Sequence, residues 1–264
     1  MKETIHEAMQ DTILEKLKEI EQGHQIKVLF AVESGSRAWG FPSKDSDYDV
    51  RFVYIRQRDW YLSIDEKRDV VEVPINDLLD MNGWDIRKAL KLFRKSNPPL
   101  LEWLESSIIY QESYGFREEM RAVKEQVFSP KASMHHYLSM AKGNFRKYLQ
   151  GEHVNIKKYF YVLRPILACL WIEKYNTNPP ILFQELVEDL LAGKPELKKK
   201  MDLLLDKKMF GDEMDLEPRI DVINEFIQLE TFRMTEYANS FQGEQNDPTE
   251  ILDELYRKYL RIWD

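Results

Sequence analysis

One stretch limits what this chain can fold into more than any other. It is Val28-Leu29-Phe30-Ala31-Val32-Glu33-Ser34-Gly35-Ser36, followed after ten residues by Asp47-Tyr48-Asp49-Val50-Arg51-Phe52-Val53-Tyr54-Ile55. The first part predicts a buried strand over about 25–33 that runs into a small-residue turn able to open a helix. The second part alternates, with Tyr48, Val50, Phe52 and Tyr54 on one face and Asp47, Asp49 and Arg51 on the other. Two carboxylates at i and i+2 repel each other and gain nothing from packing. Divalent cations are the usual compensation. A Gly-Ser turn at a helix start offers free backbone N–H groups to a phosphate. A phosphate cradle and a metal-binding acid pair, one strand apart, predict chemistry on a nucleoside triphosphate.

The rest of the chain reads as an α/β part followed by helices. Ile5, Met9, Ile13, Leu14, Leu17 and Ile20 recur at helical spacing, and Gly23 is expected to end that helix. Ser43-Lys44-Asp45-Ser46 reads as a polar turn, and Trp60-Tyr61-Leu62 as a short helix. A third strand is expected over 69–74. A short fourth, Leu78-Leu79-Asp80-Met81, would pair with it as a hairpin through Ile75-Asn76-Asp77 and stop at Asn82-Gly83. From Trp84 the period changes to helical, with Ile86, Ala89, Leu90 and Phe93 inward. Asn97-Pro98-Pro99 breaks that helix, a short one follows at 100–104, and 106–110 reads as extended. Beyond Ser113 everything reads as helix, over about 113–127, 131–150, 154–175, 180–192, 195–208, 218–240 and 247–261. The division expected is a catalytic part, 1–110, and a helical part, 111–264.

With 264 residues and 43% hydrophobic content, a sizeable core is available. The lone cysteine, Cys169, lies in an apolar helical run and reads as a buried structural thiol. No apolar run reaches membrane-spanning length and the N-terminus is not a signal peptide, so a cytoplasmic protein is expected. A net charge of −8 argues against broad, non-specific DNA binding. Between Ser129 and Pro165, however, there are seven Lys/Arg against one acid, which reads equally as a local basic face for a polyphosphate or an RNA end and as a solvated helix surface.

Gly35-Ser36, ten residues, then Asp47-x-Asp49 resembles the signature of the DNA polymerase β-like nucleotidyltransferase superfamily. The fuller text, Gly35-Ser36-Arg37-Ala38-Trp39-Gly40 with Ser46-Asp47-Tyr48-Asp49-Val50-Arg51, resembles its predicted-nucleotidyltransferase branch linked to RNA repair. The resemblance implies an α/β (α+β) nucleotidyltransferase core with a small mixed sheet, then an all-helical C-terminal domain. It implies Mg²⁺ or Mn²⁺ on Asp47 and Asp49, and an NTP substrate, with ATP expected. It also implies a third carboxylate on a neighbouring strand that binds metal or acts as base. Glu72, Asp77, Asp80 and Asp85 are the candidates. Asp80, between Leu79 and Met81 on a strand that precedes a helix, is favoured, and Asp85 has an ordinary capping explanation.

Gly35 would let the backbone approach a phosphate, and Ser36 would donate to it. Arg37 can reach phosphate or pair with a nearby acid. Arg51, on the acid face, reads as an internal partner of the carboxylates. Arg87, Lys88 and Lys91 can line the acceptor side or remain solvated. Lys157-Lys158-Tyr159-Phe160-Tyr161-Val162-Leu163-Arg164 also resembles a motif of the branch. Lys157, Tyr161 and Arg164 share a helix face and Lys158 neighbours Tyr161, so cation, ring and cation suit a triphosphate and a stacked base. The expected activity is metal-dependent transfer of NMP from an NTP to a hydroxyl, an RNA or tRNA 3′ end being the acceptor the family suggests. Protein AMPylation, a small-molecule acceptor and a non-catalytic NTP-binding module are the alternatives.

Overall fold

The computed structural model describes residues 7–43, 46–73, 78–210, 216–241 and 247–264, with nothing stated of the side chains of Glu7 and Phe210. Ile5, Lys44, Asp45 and the turn Ile75-Asn76-Asp77 lie outside them.

Helix α1 (Glu7–His24) carries its helical stripe inward through Ile13, Leu17 and Ile20, and runs past Gly23. Strand β1 (Lys27–Glu33) is almost wholly buried and ends at the short helix α2 (Gly35–Ala38). Strand β2 (Tyr48–Ile55), the short helix α3 (Arg58–Tyr61), strand β3 (Val70–Glu72) and strand β4 (Leu79–Asp85) follow. Then come α4 (Ile86–Arg94), α5 (Pro98–Glu105) and β5 (Ile109–Glu112). The sheet order is β3-β4-β2-β1-β5, with β2 and β4 parallel and every other pair antiparallel. The expected mixed sheet is present.

Strand β4 is longer than expected. It runs on through Asn82 and Gly83 to Asp85. Gly83 stands opposite Phe52, and a Cβ there would come within 2.1 Å of the Phe52 ring. This glycine makes room for an aromatic ring in mid-sheet and does not mark a turn.

The two parities of β2 explain where the site lies. Tyr48, Val50, Phe52 and Tyr54 pack under α1 with Val28 and Met81. On the other face Val53 and Ile55 are covered by Ile86, Leu90, Leu101 and Phe116. Asp49 and Arg51 share that second face but sit at its uncovered end, half-buried. One strand thus changes from core to site along its length.

The second half contains α6 (Phe116–Val127), α7 (Pro130–Tyr148), strand β6 (His153–Asn155), α8 (Lys157–Tyr175), α9 (Phe183–Leu190) and α10 (Pro195–Phe210). Strand β7 (Leu216–Pro218), α11 (Asp221–Ser240) and α12 (Thr249–Leu260) complete it. It is not all helix: β6 and β7 form an antiparallel ribbon, His153 opposite Pro218, so α8 begins at Lys157 rather than near 154. Three-residue strands are too short to show a period. Pro165 sits inside α8 without breaking it. It cannot donate to the carbonyl of Tyr161, which instead accepts from Asn144 Nδ2 of α7 at 3.2 Å. Cys169 is fully buried, and burial pushes its thiol pKa up.

Packing does not divide at residue 110. Phe116 and Met120 of α6 and Leu252, Leu255 and Tyr259 of α12 join the sheet's core. Conversely Phe41, just past α2, enters the helical core, its ring 4.6 Å from Phe160 and 5.5 Å from Phe183. The N–H of Phe183 donates to Trp39 O at 3.0 Å. The segment after the Gly-Ser turn is therefore pinned to both halves. Among the described residues no helix is long and apolar enough to cross a membrane.

Candidate active site

The site starts where β1 stops. Ser34 N–H donates to Asp49 O at 2.8 Å, and Asp49 N–H donates to Glu33 Oε1 at 2.8 Å. Asp49 is held by its own backbone from both sides. Glu33 is fully buried and accepts a short hydrogen bond from Tyr110 Oη. Burial pushes its carboxyl up to about 7, although Tyr110 and the Asp49 N–H pull the other way. Sequence reasoning did not single out Glu33. The available signal was an acid closing an otherwise apolar strand just before the Gly-Ser turn.

Gly35 has φ +61°, and a Cβ on it would lie 2.2 Å from Asp49 Oδ2. Both facts demand glycine: the left-handed backbone, and the carboxylate seated on the turn. Gly35→Ala is expected to cost about 1–2 kcal/mol for the backbone alone. It should also displace the Asp49 carboxylate. A urea midpoint within error of the wild type would show that neither contact exists.

Asp80 stands beside Asp49 in the parallel register of β2 and β4. Arg51 joins them, its Nη2 donating to Asp49 Oδ1 at 3.0 Å and Asp80 Oδ2 at 2.7 Å. Asp47, exposed, lines a hollow with Asp49, Ser36, Ser43, Ser46, Trp39, Phe41, Lys157, Phe160, Tyr161 and Lys208. Asp49 keeps a raised pKa, by burial first and then by Asp80 and Asp47, against the pull of Arg51. Arg51 is the cation bonded to Asp49 and Asp80, and Asp49 Oδ2, seated on Gly35, together with Asp47 offers oxygens that suit a divalent cation. The donors are all hard oxygens, fitting Mg²⁺ or Mn²⁺. Among the described residues no group of three or more acids, histidines or cysteines is placed to hold a metal ion together. Mg²⁺ commonly takes one or two carboxylates and completes its shell from substrate phosphates.

Asp85 is placed differently. It is buried at the far end of β4 and caps α4, accepting from Arg87 N–H at 2.9 Å and Tyr61 Oη at 2.7 Å. Burial raises its pKa from 3.8 to about 6, despite those bonds. Between these values the unfolded chain releases a proton that the folded chain retains. Stability from this group is therefore complete below 3.8 and falls as pH rises towards 6. Asparagine remains a good cap. Asp85→Asn should flatten the fall in the urea midpoint between pH 4 and 6.5, and parallel pH curves for the two proteins would contradict this. Glu72 is exposed on β3 and bonded to Arg68, and Asp77 lies outside the described residues.

The cations sort in a way the helix period did not show. Lys157 and Tyr161 face the hollow. Lys158 is turned aside, its Nζ 4.9 Å from the Tyr161 ring and 5.0 Å from the Tyr148 ring. Arg37 holds the loop, donating to Ser46 O at 2.7 Å and Asp47 O at 3.2 Å with its guanidinium 3.9 Å from the Tyr48 ring. Arg164, expected on the ligand stripe, is 1% exposed and ion-paired with Glu102 of α5. Seven residues at 1.5 Å each carry it about 10 Å along α8 from Lys157. There Trp39 and α5 cover the helix: its guanidinium lies 5.1 Å from the Trp39 ring, and Trp39 Nε1 donates to Glu102 Oε2 at 2.9 Å. Arg164 thus supports the wall of the hollow from behind. Lys88 pairs with Asp69 at 3.0 Å, and Arg87 lies 5.6 Å from the Tyr61 ring, so both are engaged away from the hollow.

A mixed sheet bearing paired aspartates beside a Gly-Ser turn is the arrangement the sequence resemblance implied. The chain matches the model of the RNA repair pathway DNA polymerase beta family over residues 9–258 and belongs to that family. It is 55% identical over 247 residues to the uncharacterized protein YcgL of Bacillus subtilis (strain 168), covering 94% of this chain and 95% of that one. A solved nucleotidyltransferase-like protein from Exiguobacterium sibiricum 255-15 is 13% identical, with a TM-score of 0.31, over 86% of this chain and 75% of that one.

Proposed function

We propose that this protein transfers a nucleoside monophosphate from an NTP, ATP being the expected one, to the 3′ hydroxyl of an RNA. The observation that carries the reading is the meeting of Asp47, Asp49, Ser36, Lys157 and Tyr161 in one hollow, with Asp80 beside Asp49. In the reaction the acceptor oxygen bonds to the α-phosphorus, the bond from that phosphorus to the bridging oxygen breaks, and pyrophosphate leaves. The hydroxyl proton passes to a carboxylate, and Asp80, steadied by Arg51, lies next to Asp49 for that role. Asp47, Asp49 and Asp80 would hold the divalent cations, which supply charge compensation at the transferred phosphate. Tyr161, 44% exposed at the hollow, offers a ring for the base. The family's link to RNA repair supports RNA as acceptor.

The test uses each of four α-labelled NTPs with Mg²⁺ or Mn²⁺, first with total RNA and then with cell protein. Label at RNA 3′ ends, lost with a chelator, is the expected result. Label on protein would replace the acceptor, and no transfer with any nucleotide would reject the reading.

A further inference from the structure

Glu33 closes β1 as a carboxylate with no exposed surface. Its N–H donates to Ile108 O at 3.0 Å, and its carbonyl accepts from Ser106 Oγ at 2.7 Å, both in the segment that leads into β5. Its Oε2 accepts from Tyr110 Oη of β5, and its Oε1 accepts from Asp49 N–H at 2.8 Å. Main chain and side chain are both tied to the segment 106–110, and one carboxylate oxygen reaches across to the acid-bearing strand.

That reach makes up for the early end of β1. Asp49 N–H and Asp49 O both point towards β1, because a residue of a paired strand turns its two polar groups to the same neighbour. The carbonyl meets Ser34 N–H. Past Glu33 the chain bends into α2, and the Glu33 side chain, not a main-chain carbonyl, takes the N–H. A carboxylate fits this place. An N–H and an O–H converge on it, and it has an acceptor oxygen for each, whereas an amide has one acceptor oxygen and presents a donor at the other. A valine or leucine would fill the space at less cost but leave the Asp49 N–H unmet.

We infer that Glu33 is a positioning residue: it replaces the missing strand carbonyl, fixes the main chain of Asp49 and so aims the Asp49 carboxylate at a divalent cation, while Tyr110 locks the Glu33 side chain. The inference rests on the reading of Asp49 as a cation ligand. Asp49 Oδ2 is seated on the Gly35 turn and Oδ1 is held by Arg51, so little rotation is left to the side chain once its main chain is fixed. A shift of the Asp49 main chain therefore passes straight to its carboxylate oxygens. Removing an outer partner of this kind typically costs about 10- to 100-fold in metal affinity or activity.

Uptake of Mn²⁺ by the full chain, read as loss of the free-ion EPR signal, alone and with α,β-methylene-ATP, tests this. Glu33→Ala leaves the Asp49 N–H unmet. It should weaken Mn²⁺ binding about 10- to 100-fold and speed hydrogen exchange at the Asp49 amide. Glu33→Gln still offers an oxygen to that N–H and should stay within about twofold of the wild type. Tyr110→Phe frees only Oε2 and should weaken Mn²⁺ binding about three- to tenfold, which keeps the inference testable if Glu33→Ala does not fold. A purely structural Glu33 would lower the urea midpoint of Glu33→Ala and Tyr110→Phe and leave the Mn²⁺ affinity of the folded chains unchanged. That result overturns the inference while leaving the cation site standing. A loss in Glu33→Gln as large as in Glu33→Ala also overturns it, since charge and not the hydrogen bond would then matter. A wild-type chain that takes up no Mn²⁺ under either condition overturns both readings.

Discussion

Asp49→Asn is expected to lower nucleotidyl transfer roughly a thousandfold or more while the protein stays folded. The fold should survive because the backbone of Asp49, not its charge, is built into the sheet: its N–H meets Glu33 and its carbonyl meets Ser34. Arg51 keeps Asp80 as an ionic partner. An amide still accepts from Arg51, and with one less buried carboxylate the repulsion from Asp47 and Asp80 falls. What disappears is the negative oxygen beside Gly35, and with it, in the proposed mechanism, the hold on a cation at the reacting phosphate. A thousandfold is about 4 kcal/mol of transition-state stabilisation. Steady-state kinetics with labelled NTP, beside a urea melt of the same sample, gives both readings. Turnover near wild type would reject the mechanism, and a collapsed urea midpoint would show that the charge itself supports the fold.

Glu102→Leu is expected to have the largest effect on stability, about 3–5 kcal/mol. Glu102 and Arg164 are an ion pair with side chains 11% and 2% exposed, and removing one partner strands the other charge inside. Arg164 would retain uncharged partners, among them the carbonyls of Ile181, at 3.3 Å, and Pro180, at 3.5 Å, but no carboxylate. The midpoint of thermal unfolding should fall by roughly 10 °C. Trp39 loses its acceptor at the same time, so the wall of the hollow that it forms with Tyr161, ring centroids 6.1 Å apart, should loosen and NTP affinity drop. Adding Arg164→Met to Glu102→Leu should restore much of the stability, since an apolar pair carries no stranded charge. Restoration of stability without recovery of NTP affinity would separate the two roles of Glu102. A loss under 1 kcal/mol in the single variant would refute a buried, dependent pair.

Much of this molecule was legible before any coordinates. The inward set Ile86, Ala89, Leu90 and Phe93 follows from a 3.6-residue period alone, and the structure buries those four positions in α4. The alternation in β2 placed Asp49 and Arg51 on the face opposite Tyr48 and Val50, as observed. Short features resisted. The β6–β7 ribbon has three residues a side, and its partners lie more than sixty residues apart in sequence. Gly83 read as a turn because glycine ends strands more often than it faces a ring, and only the neighbour Phe52 distinguishes the two cases.

For the candidate site the division falls between backbone-bound and long side chains. Local sequence was enough to seat Asp49 on a strand face with a glycine beside it, Asp47 lying one residue ahead of the strand, because strand parity and backbone freedom depend on near neighbours. The sequence favoured Asp80 among the candidate acids, and the parallel register sets it beside Asp49, whereas tertiary structure alone decided which cations enter the hollow. Lys157 and Lys208 point in, whereas Arg37, Lys158 and Arg164 are engaged outside it. A lysine or arginine has a reach of several bonds and takes its direction from whatever packs over it. For Arg164 that is Glu102, sixty-two positions away, and for Lys208 it is Ser43, one hundred and sixty-five positions away. Contacts of that span leave no periodic trace in the chain, so the charges around the hollow become visible only when the two halves are packed together.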